Sequence, residues 1–240
     1  MKILKRLLVN ILVICLLSLS VVGFISCSNT EQEYQEVPLA DMNIAFRSNR
    51  SGSSEIYVMK GDGSSVTQLT NDLGLEGDMS WEPLGNKVVF SSDRDGNYEL
   101  YVVDIVSNDI FRVTDSPARD FFASHHPNDS RIAFRSNQDG NDDIYVIDAD
   151  GSGLLNLTNS AEKDFGQPWW SPNGKFLIWL SERDGSRDIY RMNSDGTNKL
   201  NLSDNMATDT LPSWTASSFP WSPDSKRIAF VSNRDGNTDV

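Results

Sequence analysis

Val88-Val89-Phe90-Ser91-Ser92-Asp93-Arg94-Asp95-Gly96-Asn97-Tyr98-Glu99-Leu100-Tyr101-Val102-Val103 places two apolar runs on either side of an Asp-Arg-Asp-Gly turn. Asp and Gly supply the turn chemistry and the positive backbone angle that a tight hairpin needs. Neither run alternates cleanly: Leu100-Tyr101-Val102-Val103 is apolar throughout. A strand with one wet face alternates, so these read as strands covered on both faces.

The pattern recurs along the chain. Phe46, Phe90, Phe134, Trp179 and Phe230 occupy equivalent places, 44, 44, 45 and 51 residues apart. A second strand follows each turn: Ile56-Tyr57-Val58-Met59, Leu100-Tyr101-Val102-Val103, Ile144-Tyr145-Val146-Ile147 and Ile189-Tyr190-Arg191-Met192. A third contains Leu69-Thr70, Val113-Thr114, Leu157-Thr158 and Leu202-Ser203, and a fourth lies near Trp81, His125, Trp170 and Trp214. The fourth copy carries about seven extra residues, with Trp214 at the expected spacing and Trp221-Ser222-Pro223 opening the next turn. Four short strands in about 44 residues is the count of a propeller blade. A blade that is apolar on both faces needs neighbours on both sides.

The residues Trp221-Ser222-Pro223-Asp224-Ser225-Lys226-Arg227-Ile228-Ala229-Phe230 and Arg94-Asp95-Gly96-Asn97-Tyr98-Glu99-Leu100-Tyr101-Val102 resemble the TolB-like (PD40-type) repeat. Residues 41–240 fall under this resemblance. It implies an all-β fold: a β-propeller of four-stranded antiparallel blades, incomplete, with four full repeats plus part of a fifth. The resembled family closes with six blades, so the chain is expected to be cut short at its C-terminus. Residues 27–40 form a polar tether, too short for the family's separate N-terminal domain.

Residues 1–26 read as an export signal of the lipoprotein type. A basic start, Lys2, Lys5 and Arg6, precedes the apolar stretch Leu7–Ile25, and Phe24-Ile25-Ser26-Cys27 follows. The last four residues resemble a lipobox, which makes Cys27 the expected lipidation site. Phe24 stands where that motif usually has Leu, and a cut after Gly23 or an uncleaved anchor are the alternatives. No Cys occurs after Cys27, so no disulfide framework holds the body.

The 240 residues carry 21 Lys+Arg against 34 Asp+Glu, a net charge of −13. Such a surface repels phosphate backbones, which argues against nucleic-acid binding and favours cationic partners. The Asp-rich turns look like fragments of calcium loops, but Gly96 sits four residues into its loop where an EF-hand needs glycine at six. No metal or cofactor is expected. Arg50/Glu55, Arg94/Glu99, Arg183/Asp188 and Arg234/Asp239 instead suggest cross-strand charge pairs. The chain has no Gly-x-Ser-x-Gly elbow and no phosphate-binding glycine loop.

The candidate partner-binding residues are His125 and His126, the only histidines, together with Trp169, Trp214 and Phe219, which break the repeat's phase. Adjacent strand residues point to opposite faces, so the two histidines are poor joint ligands for one ion. The resemblance places their strand nearest the central channel, where one of them would meet a ligand. The expected function is that of a non-catalytic, monomeric propeller at the cell envelope, in the periplasm or on the outer membrane. Its membrane contact would come from the N-terminal lipid or signal segment. The resemblance implies a protein or peptide partner of the peptidoglycan-associated lipoprotein class. The alternative is a regulatory or substrate-gating propeller of a larger prolyl oligopeptidase-like hydrolase, or a carbohydrate-active propeller.

Overall fold

The computed structural model describes residues 38–72, 74–211 and 219–239, and the statements below concern these residues. Cys27 and Trp214 lie outside them. After a short 3-10 turn (Leu39–Asp41) the chain is all β. The first sheet contains β1 (Asn43–Ser48), β2 (Glu55–Lys60) and β3 (Thr67–Gln68). Three sheets of four strands follow. They are β4 (Glu76–Trp81) to β5 (Lys87–Ser92), β6 (Glu99–Asp104) and β7 (Ile110–Arg112); β8 (Asp120–His125) to β9 (Arg131–Ser136), β10 (Asp143–Asp148) and β11 (Leu155–Asn156); and β12 (Asp164–Trp170) to β13 (Phe176–Ser181), β14 (Asp188–Asn193) and β15 (Leu200–Asn201). β16 (Asp209–Thr210) and β17 (Val231–Ser232) make a fifth, two-stranded sheet. All pairings are antiparallel and follow chain order.

Each sheet after the first begins with the strand that closes the preceding sequence repeat. The Trp-bearing segment is therefore the first strand of the next sheet, not the last of its own. These first strands line up side by side: β4 packs on β8, and β8 on β12.

The core lies between sheets, as strands apolar on both faces require. Successive residues of one strand serve different clusters. Val88 and Phe90 pack back onto Ile56 and Val58 of the first sheet. Val89 packs forward onto Ile132, Phe134 and Tyr145 of the third. The same division gives Ala133 and Ile144 to a cluster with Trp170, Leu177 and Trp179. Ile178, Leu180 and Ile189 meet Leu211 and Trp221. Each fully buried side chain of this kind contributes about 2 kcal/mol, and only while its neighbouring sheet is in place.

The recurrent motifs have local causes. Gly96, at φ 107°, closes its turn by donating its amide to the Asp93 carbonyl at 2.9 Å, and the equivalent glycines do the same. The Thr of each Leu-Thr pair joins two strands. Thr114 Oγ1 donates to Glu99 Oε2 at 2.6 Å and accepts the Leu100 amide at 2.9 Å; Thr70 and Thr158 repeat the arrangement. In the second, third and fourth sheets the Tyr of this strand donates its hydroxyl to the Asp of the turn: Tyr101 to Asp95 and Tyr145 to Asp139, both at 2.5 Å, and Tyr190 to Asp184.

Two sequence expectations are corrected. Trp221, not Trp214, fills the phase position of the fifth sheet: it bridges Ile228 as Trp170 pairs with Leu177. Its indole N–H donates to the Trp169 carbonyl at 3.2 Å, as that of Trp170 does to Ser124 at 3.1 Å. The extra residues of the fourth copy therefore fall between Leu211 and Trp221 in the sequence. The turn arginines do not pair with the acid five residues on. Arg94 holds Glu76 (2.9 Å) and Asp72 (2.8 Å), Arg183 holds Asp164 (3.3 Å) and Arg234 holds Asp209 (3.1 Å). Glu55 and Glu99 are buried against Thr70 and Thr114 instead, Asp188 meets Ser203, and Asp239 is exposed. The guanidinium stacks over the two rings behind it, Phe90 and Tyr101 for Arg94, and so reaches the first strand of its own sheet.

Candidate functional site

The first strands share one irregularity. Register shifts occur between Glu76 and Met79, between Phe121 and Ser124, and between Phe165 and Trp169. A bulge re-aims the side chains around it. Here two of the bulges put a residue in the left-handed region, Phe122 at φ 60° and Gly166 at φ 67°. Neighbouring bulges are tied together. The Phe122 amide donates to Asp78 Oδ2 at 3.1 Å, and Gln167 Nε2 donates to the Ala123 carbonyl at 2.9 Å.

The bulges open onto a cavity of about 560 Å³. Its rings are Phe46, Tyr98, Phe121, Phe122 and Trp169. Its polar groups are Arg47, Arg119, Asp78, Ser91 and Gln167. A second cavity of about 300 Å³ shares Phe122, Gln167 and Trp169 with the first and adds Arg135, Arg187 and Phe165. Both volumes fall in or near the range of small-ligand clefts.

Cations and rings are interleaved here. The Arg135 guanidinium lies 4.2 Å from the Phe121 centroid and 4.8 Å from that of Phe122. Arg119 covers Tyr98 and Phe121, and Arg187 covers Phe165 at 4.3 Å. Burial lowers the pKa of Arg135 from its ordinary value. Burial also raises that of Asp78, against the pull of the Phe122 amide and the charges of Arg47 and Arg135. A cavity set in arginine departs from the cationic preference that the chain's net charge suggests.

Of the residues singled out in the sequence, Trp169 lines both cavities. Phe219 stands half exposed with its ring edge-on to Trp169, centroids 5.6 Å apart. The histidines line neither cavity. His125 is buried, neither ring nitrogen has a partner, and burial with the Lys87 charge lowers its pKa to about 4. It stands where the other sheets have Trp, and its ring does not make the bond to a neighbouring carbonyl that Trp170 and Trp221 make. His126 points toward the next sheet. Its Nε2 lies 2.9 Å from the Gly174 carbonyl, its Nδ1 3.0 Å from Asp129 Oδ1, and its ring meets Trp170 edge-on. Sequence reading missed Phe121, Phe122, Arg119 and Arg47. The doublet Phe121-Phe122, two large rings inside a strand whose copies carry Gly77-Asp78 and Gly166-Gln167, was the available signal.

Carboxylates gather at the sheet junctions. Glu55, Asp72 and Glu76 bring one oxygen each within 4.8 Å of one another. The Arg94 guanidinium already supplies a cation to two of them. Burial, then Asp72 and Glu55, raise the pKa of Glu76 to about 7. At the next junction Gln138 replaces the arginine, and burial raises Asp120 to about 6.

Radial four-stranded sheets with bulged inner strands around a cavity define a β-propeller. The family model for the TolB beta propeller domain matches residues 40–119 and 118–219, and the chain belongs to that family. Among solved structures it is similar to TolB from Agrobacterium tumefaciens, at 24% identity and TM-score 0.63, over 78% of this chain and 69% of that one. It is similar to TolB from Acinetobacter baumannii at 23% identity and TM-score 0.60, over 69% of this chain and 41% of that one. A prolyl endopeptidase shares the fold at 12% identity and TM-score 0.62, over 80% of this chain and 31% of that one. No curated protein matches. No helix among the described residues is long and apolar enough to cross a membrane.

Proposed function

We propose that this chain is an exported, non-catalytic propeller that holds a protein or peptide partner at the bacterial cell envelope. The observation that carries the reading is the aromatic cavity at the bulges, with Trp169 inside it and Phe219 beside it. Rings fixed by packing give contact area at little entropic cost and dominate most protein interfaces. Membership of the TolB propeller family supports the envelope setting and a partner of the peptidoglycan-associated lipoprotein class. In this reading the polar tether after residue 26 links the propeller to a lipid on Cys27, and the likeness to a peptidase propeller is one of fold.

The test is photo-crosslinking in intact cells, with benzoylphenylalanine in place of Phe219 or Tyr98. A discrete protein adduct that Trp169→Ala abolishes is the expected result. The absence of an adduct at both positions contradicts the reading. Incorporation of labelled palmitate, lost in Cys27→Ser, checks the anchor separately.

A further inference from the structure

We propose that the axial cavity takes a carboxylate-bearing peptide segment, anchored by Ser91, Arg47 and Arg119 and walled by Phe122 and Trp169. The proposal rests on the partner-binding reading and deepens it by assigning the chemistry of the bound segment.

The charge at the cavity opposes the charge of the chain. The protein is −13 overall, yet the two adjoining cavities present four arginines and a single acid, Asp78. Among the described residues Arg47, Arg119 and Arg135 have no ion pair, as is also true of Arg50, Arg191 and Arg227, while the fourth cavity arginine, Arg187, pairs with Glu182. Asp78 makes no direct ion pair with any of them; its Oδ2 accepts the Phe122 amide, and its one charge is shared with Arg47 and Arg135 at longer range. Arg119 and Arg135 are held against rings, and Arg47 donates one N–H to the Glu76 carbonyl at 3.1 Å; guanidiniums so placed in a concave site are partners for a planar carboxylate.

A second observation points the same way. Ser91 is 1% exposed, lines the cavity, and its hydroxyl has no hydrogen-bond partner. A buried unpaired hydroxyl is costly unless a ligand completes it. Gly77 is what leaves this hydroxyl open, since a methyl group at that position would collide with Ser91 Oγ. The hydroxyl is a donor for one carboxylate oxygen while a guanidinium takes the other.

The walls favour a peptide over an acidic sugar. Phe46, Phe121, Phe122 and Met79 are apolar, while a saccharide needs a hydrogen-bonding group for each of its several hydroxyls. Besides the arginines, Asp78, Ser91, Gln167, the Tyr98 hydroxyl and the Trp169 indole N–H are the polar side-chain groups of the lining. A Phe- or Leu-flanked Glu or Asp, or a C-terminal carboxylate beside a ring, matches both wall and anchor.

The experiment is equilibrium dialysis of the full chain against two pools of hexapeptides. One carries Glu-Phe and Asp-Phe pairs and the other carries Gln-Phe and Asn-Phe pairs in amidated peptides; trigalacturonate is a third probe. The acidic pool is expected to be retained about tenfold more than the neutral pool, with the difference shrinking from 50 to 500 mM salt. Arg119→Gln and Arg47→Gln, both at exposed positions, are expected to reduce it about tenfold, with unfolding midpoints unchanged. Equal retention of both pools, retention untouched by the two variants, or preferred retention of trigalacturonate overturns the proposal. A photo-adduct at Phe219 alongside any of these results would leave the envelope reading standing and remove only this one.

Discussion

Asp78 and Phe122, one repeat apart, are joined side chain to backbone: the Phe122 amide donates to Asp78 Oδ2 at 3.1 Å. Phe122 sits at φ 60°, a conformation that costs a non-glycine residue about 1–3 kcal/mol. The bond is part of what holds it there, and the ring is thereby aimed at the cavity.

Asp78→Ala removes the acceptor and leaves a half-buried amide unpaired. A loss of about 1–3 kcal/mol in urea unfolding is expected, together with loss of the Phe219 photo-adduct. Asp78→Asn keeps an acceptor and is expected to recover most of both.

His125 makes the protein acid-sensitive. Its folded pKa is about 4, below the ordinary 6.5. The unfolded chain therefore binds the proton more readily, and stability falls as pH drops from 6.5 towards 4. In His125→Leu that part of the pH dependence is expected to vanish, as read by thermal unfolding between pH 4 and 7. A variant with an unchanged profile would place the sensitivity elsewhere.

Glu76 at the first junction titrates in the other direction. Glu76 is raised from 4.5 to about 7 in the folded state, so the fold binds its proton more tightly and stability declines as pH rises from 4.5 to 7. Removing Arg94 leaves Glu76 and Asp72 without their shared cation. Arg94→Met is expected to cost about 3–5 kcal/mol at pH 8 and clearly less at pH 5. Glu76→Gln should flatten the slope.

The third sheet lacks this guanidinium. Gln138 stands where Arg94, Arg183 and Arg234 stand in their sheets, and Asp120 is left with Oδ1 unpaired and a pKa near 6. Gln138→Arg is expected to stabilise the protein by about 1.5 kcal/mol at pH 7.5 and to do little at pH 4.5, where Asp120 is protonated. Equal gains at both values would mean that the new side chain acts by packing alone.

The blade was legible in the sequence because its signals are local and repeated. Ile-Tyr-Val runs, Asp-Gly turns and Leu-Thr pairs recur in phase, and each has a bond behind it. What was not legible depends on distance along the chain. The partner of Arg94 is Glu76, eighteen residues back, because the side chain crosses two rings to reach the first strand. Five-residue spacing suggested Glu99, which is taken by Thr114. Trp214 matched the spacing, but the extra residues ahead of Trp221 move the phase, and Trp221 carries the bridge. The cavity was hidden most deeply. It exists only where bulges from three strands meet, and a bulge in one strand is a property of its pairing with another. Histidine drew attention by rarity, and both histidines prove to be packed between sheets.

Hydrogen–deuterium exchange on the chain, free and with its cross-linkable envelope partner bound, tests the central claim most directly. Protection confined to the bulges at residues 77–79, 121–123 and 166–169 is the predicted result. Protection concentrated on the outermost strands β7, β11 and β15, with the bulges unchanged, would contradict it.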